Sequence, residues 1–251
     1  MQDQQKIAVA GATGRVGRHV VDTLREAGHR VVPISRSAGV DVITGEGLAA
    51  ALAGVECVID AATGPSPEQQ PATEFFTVAA RNLHEAASRA GVWRIVVVSI
   101  FGCDRFAGGY EAAKVAHERA HAAGAVPVQI LRAAQFHELV PQMVEWGTQG
   151  DVCYVPMMRI QPIAARTVAQ ALADLAVSGG STGAPAEIAG PQVENLVDLA
   201  GLLVGKRGDQ ARIEGVSDPA TAGLYENEGL LPGPGAVIAG PAFREWLDSS
   251  A

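Results

Sequence analysis

The stretch KIAVAGATGRVGRHVVDTLREAG, residues 6–28, constrains the fold of this chain more than any other. An apolar run of strand character leads into Gly11, Gly14 and Gly17, and a helical pattern follows at once. Val16, Val20, Val21 and Leu24 fall on one stripe of that helix, with Gly28 placed to close it. A strand joined to a helix through a tight glycine turn exposes backbone N–H groups at the helix N-terminus, where an anionic group can be held. In that setting Gly11 permits the turn, Gly14 lets the backbone approach a phosphate and Gly17 lets helix and strand sit close together.

The remainder of the chain continues the theme. Strands are expected at Ile7 to Ala10, Val31 to Ser35, Val40 to Ile43, Cys57 to Ala61, Ile95 to Ile100, Val128 to Arg132 and Ala186 to Ala189. Helices are expected at Gly14 to Ala27, Gly47 to Ala53, Ala72 to Ala90, Tyr110 to Ala123 and Thr167 to Val177. Strands alternating with helices, the strands nearly continuous in Val and Ile, predict an α/β fold with a doubly wound parallel sheet. Beyond about Gln135 the alternation weakens and Gly and Pro increase, as in GGSTGAP and LLPGPGA. The expectation is one Rossmann-like domain over 1–251, with a core to about 135 and a small C-terminal substrate cap over about 136–251.

The 251 residues are 48% hydrophobic and 18% charged, enough for a substantial core, and the net charge is −8. This acidic balance speaks against an electrostatic nucleic-acid binder. No segment resembles a signal peptide or a membrane-spanning helix. Cys57, Cys103 and Cys153 are odd in number and lack CxxC spacing, which predicts free thiols in a reducing, cytoplasmic compartment.

The second strand ends in VVPISRS. An acid at that point suits the ribose hydroxyls of NAD, whereas an arginine suits the 2′-phosphate of NADP. Arg36 stands there, and Arg15 adds a cation inside the glycine loop, so NADP is expected over NAD. The alternative is that Arg36 is a solvated loop residue and that Asp41 or Asp60 serves an NAD ribose.

A second constellation lies in RIVVVSIFGCDRFAGGYEAAKVAHERA. Ser99 falls at a strand end, and Tyr110 and Lys114 share a helix face. A lysine beside a phenol favours the phenolate and makes tyrosine a usable acid or base. With GATGRVG, VQILRAAQFHE and IQPIAARTVAQALADLA, these residues resemble the atypical, NmrA-like branch of the short-chain dehydrogenases/reductases, from about residue 6 to 190 and more loosely to FREWL.

The resemblance implies that Gly11, Thr13, Gly14, Arg15, Val16 and Gly17 wrap a pyrophosphate. Arg36 would meet the 2′-phosphate, Ala61 and Ala62 would line the adenine side, and Lys114 would hold the nicotinamide ribose. Ala134, Gln135 and Phe136 would sit beside the nicotinamide, with Tyr110 as proton donor and Ser99 as its helper. Ser99 and Tyr110 stand eleven residues apart, closer than is usual in the family. The expected activity is reduction of a small carbonyl, enone or quinone-like substrate. The alternatives are a non-catalytic NADP sensor that binds a partner protein and an epimerase-type enzyme that retains NAD.

HERAH, His117 to His121, matches the HExxH zinc pattern. With no third ligand at a recognisable spacing beyond the weak candidates His137 and Glu138, surface or packing roles and no metal are expected. His84, next to Glu85, is expected on solvated helix surface; Phe75, Phe76, Trp93 and Trp146 are expected in packing, with Trp146 also able to line the cap.

Overall fold

The computed structural model describes residues 4–178 and 184–249, so most of GGSTGAP lies outside the described residues. In chain order the elements are β1 (Lys6–Ala10), α1 (Gly17–Glu26), β2 (Arg30–Ile34), α2 (Leu48–Ala51), β3 (Cys57–Asp60), α3 (Gln69–Ala90), β4 (Arg94–Ile100), α4 (Gly109–Ala122) and β5 (Val128–Ala133). There follow α5 (Leu139–Gly147), β6 (Thr148–Gln149), β7 (Val152–Pro156), β8 (Arg159–Ile160), α6 (Ala165–Ser178), β9 (Ala186–Ala189) and β10 (Glu194–Asn195). The chain ends with α7 (Leu196–Arg207), β11 (Arg212–Val216), α8 (Ala222–Tyr225), β12 (Val237–Ile238) and α9 (Phe243–Ser249).

Two compact units are formed, one from Met1–Arg132 with Val168–Ala186 and one from Ala133–Thr167 with Glu187–Ala251. The first unit therefore takes back residues 168–186, well beyond the expected core boundary near 135.

The first unit is the α/β part. Its strands lie in the order β5-β4-β3-β1-β2. β1 runs parallel to β2 and β3, with Ala10 opposite both Ile34 and Asp60, and β3 runs parallel to β4. The chain passes from β1 to β2 on one side and then crosses to β3 on the other. Strand order thus reverses between β1 and β3, which opens a crevice at their carboxyl ends. Alternate residues on both faces of these strands are fully buried: Ala8, Ala10, Val58, Ile95 and Val97 on one face, and Ile7, Val9, Ile59 and Val96 on the other. The first face carries Leu48 and Leu52 around α2 and Leu83 and Ala87 of α3. α1 packs on β1 and β2 through the expected stripe of Val20, Val21 and Leu24. It ends at Ala27, and Gly28 follows at φ +85°.

The second unit holds a three-stranded sheet, β11-β7-β6, a short antiparallel pair of β8 and β10, and a parallel pair of β9 and β12. Among the described residues no helix is long and apolar enough to cross a membrane. Cys57, Cys103 and Cys153 are free and buried.

One expected strand is absent. Val40 to Ile43 forms a turn because the Asp41 carboxylate accepts the N–H groups of Ile43 and Thr44, and Gly45 and Gly47 adopt positive φ. The packing expected of Trp93 and Trp146 is also corrected: they are 41% and 59% exposed, and Trp93 lies against the Arg94 guanidinium. Phe76 is fully buried, with Ala72 and Ala113 of the facing helices. Phe76→Ala is therefore expected to cost about 3–5 kcal/mol in urea unfolding, and Trp93→Ala no more than about 1 kcal/mol.

Candidate functional site

The crevice between β1 and β3 is built from backbone. Gly11 (φ +72°) leaves β1 with its N–H on Ile34 O at 3.1 Å, and the Gly14 N–H closes the turn on Gly11 O at 2.8 Å. A Cβ on Gly11 would stand 2.5 Å from Ala61 O, and one on Gly17 would stand 2.1 Å from Gly11 O. Both positions exclude any side chain. A Cβ on Gly14 would meet only Gly11 O, at 3.1 Å. The glycines thus do what the sequence implies: they bring the first turn of α1 and the end of β3 against one loop whose backbone is bare.

Thr13 is exposed, Arg15 half-buried and Val16 buried as the residue capping α1. Ala61 and Ala62 follow β3 directly and are buried beside Gly11. Arg36 is exposed in a short 3-10 turn two residues past the end of β2. These are the residues a nucleotide cofactor would use, and the cradle that a Cβ would fill is suited to a pyrophosphate. The acids considered for an NAD ribose are both committed. Asp41 holds its own turn, and Asp60 is fully buried.

Asp60 is the centre of a network that the sequence does not reveal. Its Oδ1 accepts the Ala62 N–H at 2.9 Å. Its Oδ2 meets His117 Nε2 at 3.1 Å and His121 Nε2 at 3.0 Å, and these two nitrogens are 3.0 Å apart. His84 Nε2 lies 3.2 Å from His121 Nδ1, and Lys114 Nζ lies 2.9 Å from His117 Nδ1. All four cationic or imidazole side chains are buried. His84 is thus not solvated surface. It lies against Gly124, where a Cβ would stand 2.2 Å from its Nδ1.

The protons follow from the ends of the network. The Val126 N–H points to His84 Nδ1 at 3.3 Å, so the neutral His84 ring carries its proton on Nε2 and donates to His121 Nδ1. His121 must then donate from Nε2 to Asp60. At the other end Lys114 donates to His117 Nδ1, and His117 donates from Nε2 to Asp60. Asp60 also supplies the third ligand that the sequence did not offer HERAH: its carboxylate and the two Nε2 atoms lie within 4.8 Å of one another, all buried, and a metal ion there would take the lone pairs of both Nε2 atoms in place of these protons. The other candidate ligands have their own partners: His137 Nε2 lies 3.1 Å from Pro241 O, and Glu138 accepts the Ala165 N–H.

Burial by itself would raise the Asp60 carboxyl, but hydrogen bonds from His117 and His121 hold it well below the usual carboxylate range. Burial, with the Lys114 charge, lowers His117 to about 3. Burial lowers His84 to about 4. Lys114 is lowered to about 8 by burial, against the pull of Asp60 and Glu118.

The three expected catalytic residues stand differently from expectation. Lys114 Nζ is turned inward: it donates to Val98 O at 3.0 Å as well as to His117, and lies 4.5 Å from the centre of the Phe76 ring. The Tyr110 phenol packs edge-on against Phe76 and is raised to about 12 by burial and Glu111. The expected lowering by Lys114 is absent, and the ammonium bonds Val98 O and His117 Nδ1 instead. The Ser99 hydroxyl is buried and without a hydrogen-bond partner. Glu118 is held at 2.9 and 2.7 Å by Arg132, a clamp that also reaches Asp104. Ala134, Gln135 and Phe136 belong to the second unit. There the Ala134 N–H bonds Ile188 O, the Ile163 N–H bonds Gln135 O, and the buried Gln135 Oε1 has no partner.

Comparison with known proteins agrees with this geometry. Residues 11–176 match the NAD(P)H-binding family. No curated protein sequence matches. Among solved structures, MoeE5 in complex with UDP-glucose and NAD is similar at a TM-score of 0.72 and 19% identity, over 97% of this chain and 96% of that one. The UDP-N-acetylglucosamine 4-epimerase from Bacillus cereus is similar at 0.71 and 18%, over 98% and 95%. The Citrobacter sp. triphenylmethane reductase complexed with NADP(H) is similar at 0.64 and 22%, over 84% and 79%. At these identities the likeness is one of fold.

The histidine network makes stability depend on acid. The unfolded chain protonates His84 and His117 near pH 6.5, whereas the folded protein resists until about 4 and about 3. The histidine contribution to stability is therefore complete above about pH 6.5 and falls as the pH is lowered toward the folded values. Between pH 6.5 and 5 each ring is expected to cost roughly 2 kcal/mol. Urea unfolding at both pH values tests this, and His84→Gln should show about half the loss.

Proposed function

The chain belongs to the NAD(P)H-binding family, and we propose that it is an NADPH-dependent reductase of a small carbonyl, enone or quinone-like substrate. The observation that carries the reading is the bare glycine loop at the reversal point of the sheet, with Arg36 two residues past β2 where an acid would serve NAD. Both acids that might replace such a residue are occupied elsewhere. When bound, the cofactor supplies hydride.

The chain's own residues divide the remaining work. The loop from Gly11 to Gly17 offers backbone N–H groups to the pyrophosphate, and Arg36 and Arg15 offer guanidinium charge to phosphate. Ala61 and Ala62 give the adenine an apolar wall. Lys114 holds the nicotinamide ribose through an N–H that its inward bonds leave over. Tyr110, a phenol that stays protonated at neutral pH, would give a proton to the substrate oxygen, with Ser99 as its helper.

A second reading is favoured by one observation: the Tyr110 phenol is raised rather than lowered, as befits a site that binds NADP without using tyrosine chemistry. A non-catalytic NADP sensor is the form this reading takes.

Two measurements separate the cases. NADPH should bind at least about tenfold more tightly than NADH, and Arg36→Asp should erase the preference by facing the 2′-phosphate with like charge. Equal dissociation constants in the native protein would contradict the NADP assignment. With a substrate found by a carbonyl and quinone panel, Tyr110→Phe should keep NADPH binding and lower turnover by roughly 10²–10⁴-fold. Full turnover in that variant would remove Tyr110 from the reaction, and a panel with no turnover at all would favour the sensor.

A further inference from the structure

We propose that His117, fixed from behind by Asp60, is the positioning residue that determines where the Lys114 ammonium is held for the cofactor. The proposal rests on the reading that Lys114 meets the nicotinamide ribose, and adds to it two fully buried residues, His117 and Asp60.

A lysine is a poor positioning device when left alone. Its four-carbon stem is flexible, and fixing it costs about 2 kcal/mol of side-chain entropy. Here the cost is met by three contacts to the ammonium. Val98 O accepts one N–H at 3.0 Å, His117 Nδ1 accepts another at 2.9 Å, and the Phe76 ring lies 4.5 Å away. Two of the three N–H groups are used, and one is left for a ligand.

The acceptor is itself immobile. The His117 ring stacks on Phe76, with ring centres 4.5 Å apart and planes 28° from parallel. Its Nε2–H is anchored on Asp60 Oδ2. Asp60 is anchored in turn, as the last residue of β3, by the Ala62 N–H on its other oxygen. The line Ala62–Asp60–His117–Lys114 therefore runs from the backbone beside the glycine loop to the ammonium. Each link is a hydrogen bond between buried groups. His121 bonds the same Asp60 oxygen but does not reach Lys114, so it supports the carboxylate without contacting the lysine.

The polarity of the link matters as much as its shape. His117 must accept from the lysine and donate to the aspartate. Glutamine can do both through one amide, whereas leucine can do neither. This separates positioning from simple filling of space.

The test uses the full chain and four variants: His117→Leu, His117→Gln, His121→Leu and Lys114→Ala. NADPH affinity is measured by titration. In the cofactor-free protein, the rate of Lys114 modification by trinitrobenzenesulfonate is measured by mass spectrometry, and metal content by elemental analysis. His117→Leu should weaken NADPH by about tenfold, the scale of one charge-assisted hydrogen bond, and should speed Lys114 modification. His117→Gln should restore both to within about threefold of the native protein, and His121→Leu should leave NADPH affinity within about twofold.

Native affinity and native Lys114 reactivity in a folded His117→Leu protein would overturn the proposal. So would a folded His117→Gln protein as impaired as His117→Leu, because polarity would then be irrelevant. About one zinc per chain, lost in His117→Leu, would also overturn it by making His117 a ligand. Unchanged NADPH affinity in Lys114→Ala would instead refute the ribose reading, and the modification rates would still decide whether His117 places the lysine.

Discussion

The contact on which the first unit depends is between two pieces of backbone. Gly17 opens α1 directly against the carbonyl of Gly11, so closely that a single added carbon would stand 2.1 Å from that oxygen. Gly11 in turn lies against the carbonyl of Ala61. Three segments, the ends of β1 and β3 and the start of α1, therefore meet without any side chain between them. The same lack of side chains that permits this packing leaves the backbone of the loop bare at the N-terminus of α1, where an anion can approach. Structural need and the proposed cofactor binding draw on the same geometry.

The Asp60 network shows how a costly set of buried groups can be made tolerable. An ionised carboxylate and an ammonium out of water are each strongly destabilising alone. Here every proton in the chain from Val126 through His84, His121, Asp60 and His117 to Lys114 has an assigned donor and acceptor. One consequence is sensitivity to acid. The other is that the end of β3 is tied to the lysine of α4, so two parts of the candidate cofactor site are mechanically joined.

Much of this was legible in the sequence, and what was hidden has physical reasons. β1, the glycine turn and α1 were legible because each depends on residues close in the chain. The partner for HERAH was not, because Asp60 lies 57 residues before His117 and reaches it only through the packing of α4 on the sheet. His84 does carry a signal in the sequence. It falls in the buried series Phe76, Ala80, Leu83, His84 and Ala87 of α3, so helical periodicity places it inward. The Val40–Ile43 strand does not form, although its residues are mostly apolar, because the Asp41 carboxylate captures the local N–H groups. The direction of the Lys114 side chain was out of reach, since a helix face locates the stem and not the ammonium.

The central claim is that the glycine loop is a nucleotide cradle and not only a packing device. Gly14 separates the two best, because a Cβ there would meet only Gly11 O, at 3.1 Å, a contact that needs a shift of a few tenths of an ångström where Gly11 and Gly17 admit no Cβ. The direct test is titration of NADPH into Gly14→Ala, with thermal unfolding of the same sample. The account predicts a folded protein whose NADPH affinity falls by at least about tenfold, because the added methyl occupies the approach to the phosphates. A folded variant that binds NADPH as tightly as the native chain would contradict it.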